Sequence, residues 1–175
     1  MRLWKPLSRR SSLCIFAAIA VVAVILDRLS KAWAVAALPL GTHQGPDLGL
    51  VRLTMVHNTG AAFSIGDGFP LFFVGVACVI CAAIIAYMLL VKEHRALDVL
   101  AAGLVVGGAI GNAVDRLLYH YVVDFFEFTF INFPVFNVAD VCITCGVVLF
   151  MVYVLFFMDL GGSDAAREDA KGGGA

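Results

Sequence analysis

The stretch LDVLAAGLVVGGAIGNAVDRLL, Leu97–Leu118, decides the fold. It is long enough to cross a bilayer core, for which about 20 apolar residues suffice. Yet its last third holds Asn112, Asp115 and Arg116. A carboxylate near the centre of a membrane helix costs about 2.5–3.5 kcal/mol, so an acid kept there marks a functional site by default. The next apolar segment opens in the same way, with FNVAD, Phe136–Asp140. Asp115 and Asp140 thus lie at neighbouring ends of consecutive segments, which brings them to the same face of a membrane.

Working outward, 62% of the 175 residues are hydrophobic and 14% charged. Soluble domains carry about 45–50% apolar and about 25% charged residues, so this chain is built for lipid. A formal net charge of −1 with no basic stripe excludes nucleic acid as a partner. Four segments are long enough to span: residues 11–36, 69–91, 97–118 and 137–158. The opening MRLWKPLSRR and its apolar run resemble a secretory signal. However, Asp27, Arg28 and Lys31 follow that run in place of a small-residue cleavage site, so it reads as a retained first transmembrane helix. Residues 1–158 form one polytopic membrane domain, and the Gly-, Ala- and charge-rich 159–175 read as a disordered tail.

Positive charge orients the segments. Arg2, Lys5, Arg9 and Arg10 precede the first, and Lys92 and Arg95 lie in the 92–96 loop. The 37–68 loop holds only Arg52, and 119–136 has no Lys or Arg. Positive loops stay cytoplasmic, which puts both termini inside and the two longer loops outside. Asp27, Lys31, Asn112, Asp115, Arg116, Asn137 and Asp140 then converge at the outer boundary from three helices. Asn112 and Asp115, Asn137 and Asp140, and Asp27 and Lys31 are three or four residues apart, so each pair is expected to share a helix face. Gly103, Gly107 and Gly111 form a small-residue stripe suited to close helix packing.

The outer loops differ in kind. Val51–Met55 alternates apolar and polar residues, which predicts a surface strand. It leads into the small-residue turn Asn58–Ser64, where a backbone could approach a ligand. The 119–136 loop is loaded with phenylalanine and tyrosine, which suits the lipid interface and a substrate with acyl chains. Asp124 and Glu127 read as solvated loop charges.

Two carboxylates a few ångströms apart cannot both ionise easily, and the pair titrates as a unit. Such a pair hydrolyses a peptide when the ionised acid activates water and the neutral one polarises the carbonyl. Asp115 and Asp140 are the candidate pair, with no cofactor or metal required. The competing structural reading pairs Asp115 with Arg116 or Lys31, and makes Asp140 a helix-start residue favoured by the dipole. Asp27 with Lys31 reads as a scaffold or substrate-orienting pair. Cys78-x-x-Cys81 and Cys142-x-x-Cys145 copy the outline of a zinc site, but both lie in apolar segments without a Gly-rich knuckle. Two other functions compete: a proton-coupled transporter relaying through Asp115 and Asp140, and a tetraspan assembly protein pairing through Gly103, Gly107 and Gly111. The clustering of the acids at one end favours hydrolysis.

These motifs carry a family resemblance. Asp27-Arg28-Leu29-Ser30-Lys31, Asn58-Thr59-Gly60-Ala61-Ala62-Phe63, Gly107-Gly108-Ala109-Ile110-Gly111-Asn112 with Asp115-Arg116, Val122-Val123-Asp124-Phe125, and Phe136-Asn137-Val138-Ala139-Asp140 occur in order. Over residues 12–158 the chain resembles bacterial lipoprotein signal peptidase, signal peptidase II. The resemblance implies four transmembrane helices, a small extracytoplasmic β-cradle and a short surface helix acting as a lid. It implies removal of the signal peptide from diacylglyceryl-modified prolipoproteins, on the amino-terminal side of the lipidated cysteine. Asp115 and Asp140 are expected to be the catalytic dyad, supported by Asn112, Arg116, Asn137 and Ala139. Asp27, Lys31, Asn58 and Gly60 match further motif positions. The resemblance also implies residence in the bacterial inner membrane, contact with membrane lipid and inhibition by globomycin-type depsipeptides. One chain supplies the full constellation, so a monomer is expected. His120 stands where a glycine is usual, and Val141 where a small polar residue often follows the second aspartate.

Overall fold

The computed structural model describes residues 6–41, 46–60 and 66–157. Four helices are long and apolar enough to cross a membrane. They are α1 (Arg9–Ala37), α2 (Pro70–Leu90), α3 (Ala96–Tyr119) and α4 (Val138–Phe157). Strand β1 (Val51–Asn58) precedes α2, and β2 (Val122–Phe128) lies between α3 and α4. The protein is therefore a multi-pass membrane protein with four helices and a two-stranded sheet. Among the described residues, neither connecting segment forms the expected surface helix. Residues 61–64 of the Asn58–Ser64 turn and the whole 159–175 tail lie outside the described residues.

α3 is the central helix. Of its most apolar window 56% is buried inside the protein, against 6% for α2, whose apolar side chains face outward. This follows from composition, because α3 carries small residues that let neighbours approach closely. A Cβ at Gly107 would sit 2.6 Å from Ala23 Cβ and 2.7 Å from the Ala20 carbonyl of α1. One at Gly111 would meet Asp27 Oδ2 at 2.6 Å, and one at Gly103 would meet Ile19 at 2.7 Å. Gly108 faces the other way, against the Ala139 carbonyl of α4. The glycine stripe is thus consumed inside the bundle, and the assembly face considered for it is not on the surface. Gly107→Val should lower stability by about 1–3 kcal/mol, the usual cost of overpacking. Thermal unfolding in detergent measures this, and an unchanged Tm would count against such close α1–α3 packing.

The ends of the bundle differ. At one, the Leu7 N–H donates to the His94 carbonyl (2.8 Å), and Arg9 reaches the Leu89 carbonyl. His94 is buried there, with Nδ1 2.8 Å from Asp98 Oδ2 and Nε2 3.3 Å from the Met88 carbonyl. The Tyr87 hydroxyl donates to the same Asp98 oxygen. The sheet caps the other end. β1 and β2 run antiparallel with Asn58 opposite Val122 and Val56 opposite Asp124. Ala34 and Leu38 at the end of α1 pack with Met55, Val123 and Phe125 of the sheet.

His120 ends α3 with φ 63°. That left-handed conformation is where glycine is free and other residues are strained by about 1–2 kcal/mol. The glycine usual at this position thus has a backbone reason, and histidine here adopts the same turn. It reverses the chain into β2 and so sets the position of Asp124.

Candidate active site

Three asparagines organise the polar groups at the sheet end. Asn137 precedes the first residue of α4 and caps it: its Oδ1 accepts from the Asp140 N–H (3.0 Å), while Asp140 Oδ2 accepts from the Asn137 N–H (3.0 Å). This reciprocal arrangement is a capping box. The Asn-x-x-Asp spacing of FNVAD therefore reflects a helix start, not two residues on one helix face. The Asn137 amide then donates to Asp124 Oδ1 (2.6 Å) and to Asn112 Oδ1 (3.0 Å). Asn112, on α3, donates to Asp140 Oδ1 at 2.7 Å.

Asn58 completes the set. Its Oδ1 accepts from the Gly60 N–H (3.0 Å), which turns its amide nitrogen toward Asp124 Oδ2 at 2.9 Å. Asn58 lies diagonal to Asp124 across the strand pair, so the two project from one face of the sheet. All four oxygens of Asp124 and Asp140 thus accept an N–H donor, and Asn137 touches both acids. Asp140 is the partly exposed member, which leaves it open to water and substrate.

Asp124 is 1% exposed, which corrects its reading as a solvated loop charge. Burial, followed by the neighbouring Asp140 charge, pushes its carboxyl up to about 7, against the hydrogen bonds from Asn58 and Asn137. Glu127 is also buried, 3.7 Å from Arg52. The sequence signal for Asp124 was its place within Val122–Phe126, which puts apolar side chains on both faces of the strand around it.

Asp115 has different surroundings. Its Oδ1 pairs with Arg28 at 2.5 Å and its Oδ2 with Lys31 at 2.9 Å, and Oδ2 also accepts from the Val123 N–H at 3.3 Å. Lys31 also meets Asp27 at 2.9 Å. Asp115 is therefore a fully buried member of an ion cluster, the structural alternative weighed for it, with Arg28 and Lys31 as its cations in place of Arg116. Asp27 accepts from the Ala139 N–H at 3.1 Å. Arg116 donates to the Gly60 carbonyl at 2.9 Å, lies over the Phe73 ring, and is within electrostatic reach of Asp124, Asp140 and Asp115.

The ten site residues read from the sequence are thus connected, but the acid held with Asp140 is Asp124. Val141 is exposed beside the start of α4 and makes no polar contribution there. Among the described residues no group of three or more His, Cys, Asp or Glu could hold a metal ion.

Comparison with known proteins points the same way as the motifs. The family signature described as Signal peptidase (SPase) II matches residues 19–156. The chain belongs to the signal peptidase II family. Relatives in this family include the lipoprotein signal peptidase of Lactiplantibacillus plantarum, 40% identical over 141 residues covering 81% of this chain and 94% of that protein. The lipoprotein signal peptidase of Symbiobacterium thermophilum is also 40% identical, covering 78% of this chain and 91% of that protein. A bacterial membrane enzyme solved by the in meso method superposes with a TM-score of 0.76 at 29% identity, over 85% of this chain and 92% of that one. Signal peptidase II membership therefore spans nearly all of the described bundle and sheet.

Proposed function

We propose that this protein is an intramembrane aspartyl endopeptidase that removes the signal peptide from diacylglyceryl-modified prolipoproteins, with Asp124 and Asp140 as its dyad. The observation that carries the choice of acids is their shared asparagine, which touches both while the Asp140 charge raises Asp124. Asp140 is the better base because it is the member open to water. Asp124, buried and raised to about 7, is the better acid. In the proposed step Asp140 takes a proton from a water as it attacks the scissile carbonyl, and Asp124 donates to the carbonyl oxygen. The tetrahedral intermediate then collapses as Asp140 passes its proton to the leaving amine and Asp124 regains one from the intermediate's hydroxyl, which restores both acids. Asn112, Asn137 and Asn58 hold the acids, while Arg116 and Gly60 border the site.

The basic residues Arg9, Arg10, Lys92 and Arg95 lie at the bundle end opposite the sheet, which supports cytoplasmic termini and a site at the outer face of the bacterial inner membrane. The exposed Phe130, Ile131 and Phe133 beside the sheet suit contact with lipid, and a globomycin-type inhibitor would bind at the dyad of a monomer. The test is a gel-shift assay in detergent with diacylglyceryl-modified prolipoprotein. Release of the signal peptide on the amino-terminal side of the lipidated cysteine is expected. A folded protein that leaves the substrate whole would overturn the proposed function.

A further inference from the structure

Each dyad acid follows a residue whose backbone N–H is held by a carboxylate of the ion cluster. The Ala139 N–H, before Asp140, donates to Asp27 Oδ1 at 3.1 Å. The Val123 N–H, before Asp124, donates to Asp115 Oδ2 at 3.3 Å. Both carboxylates meet at Lys31, whose Nζ is 2.9 Å from Asp27 Oδ2 and 2.9 Å from Asp115 Oδ2. The third Nζ contact is Asn112 Oδ1 at 2.9 Å, and Asn112 donates onward to Asp140. The ammonium therefore has three oxygen neighbours, one a hydrogen bond to Asn112 and two ion-pair contacts to the carboxylates.

We infer that Lys31 is a positioning residue that sets the separation of Asp124 and Asp140, acting through two backbone amides and Asn112. The inference rests on the proposed dyad. Two separate pairs, Arg28 with Asp115 and Lys31 with Asp27, would already balance the charge, so neutralisation does not require the further contacts of Lys31 to Asp115 and Asn112. Buried ion clusters are also often replaceable by hydrophobes without loss of stability. An apolar side chain cannot hold two carboxylates and an amide oxygen to one point. Lys31 is 1% exposed and projects from α1, while the arms lead to α3, β2 and α4. The charged or titratable groups around this point are Asp27 and Arg28 from α1, Asp115 and Arg116 from α3, Asp124 from β2, and Asp140 and Cys142 from α4. β1 contributes the uncharged Asn58.

The test measures kcat and KM against pH on the lipid-modified prolipoprotein for wild type, Lys31→Met and Asp27→Asn/Lys31→Met. The double variant removes one charge of each sign, leaves Asp115 with Arg28, and keeps an acceptor for the Ala139 N–H. In both variants kcat is expected to fall about 10–100-fold with KM little changed, because misplacing reacting groups by about an ångström costs on that order. In the charge-conserving variant the two limbs of the pH profile should also move toward each other, since acids held further apart repel less. A profile of unchanged width, or limbs displaced together, would reduce Lys31 to a source of field and overturn the inference. So would unchanged kcat per folded molecule. Failure of the charge-conserving variant to fold would make the role structural and overturn it too. A wild type that does not cleave would instead sink the proposed function itself.

Discussion

Replacing Asp124 or Asp140 by asparagine is expected to lower cleavage by about 10²–10⁴-fold, the usual range for removing a positioned acid or base. Asparagine keeps the shape of each side chain and remains a partner for its neighbours, so both variants should insert and fold. At Asp124 it removes the proton that burial and the Asp140 charge retain there up to about pH 7. At Asp140 it removes the partly exposed carboxylate that Asn112 and the Asn137 N–H hold open to water. The double variant should be little slower than the worse single one, because residues acting as a unit are non-additive. In the wild type, activity should decline as pH rises through about 7, where Asp124 loses its proton. Turnover per folded molecule, measured by gel shift, checks all three. Near-normal cleavage by Asp124→Asn would remove it from the dyad.

Asp115→Ala should act on a different quantity. It leaves Lys31 and Arg28 facing one another without their shared carboxylate, and removing one partner of a buried pair costs about 3–5 kcal/mol. That is a large part of the roughly 5–15 kcal/mol that holds a typical domain folded. Reduced yield and a lowered Tm in detergent are expected. The milder Asp115→Asn keeps an acceptor for the Val123 N–H, and its folded fraction should retain turnover within about tenfold, far above that of Asp140→Asn. Inactive but well-folded Asp115→Asn beside an active Asp124→Asn would restore Asp115 to the dyad.

The contrast between these two aspartates shows how far the sequence could be read. Intramembrane cost singled out Asp115 and Asp140, because each sits in an apolar segment where an uncompensated charge is expensive. That argument detects buried charge without saying what compensates it. For Asp115 the compensation is Arg28 and Lys31, from a helix 87 and 84 residues earlier in the chain. Asp124 escaped it because the aromatic loop reads as interfacial, where a charge costs little. Only the pairing of β1 with β2, and the packing of Val123 and Phe125 on the end of α1, removes Asp124 from water. Asn137 likewise looked like a partner of Asp140 on one helix face, and is its capping residue.

By itself the sequence determined the membrane class, the four helices, the strand at Val51–Met55, the glycine stripe and the residues that would gather at one end. Those follow from local properties: the length of apolar runs, their spacing and the cost of charge in lipid. The tertiary structure decided which acid faces Asp140, which cations neutralise Asp115 and which neighbour the glycines admit. Those are contacts between segments far apart in sequence, and hydrogen-bond direction at an asparagine depends on every donor and acceptor around it. Periodicity places a side chain on a face, whereas packing alone decides what that face meets.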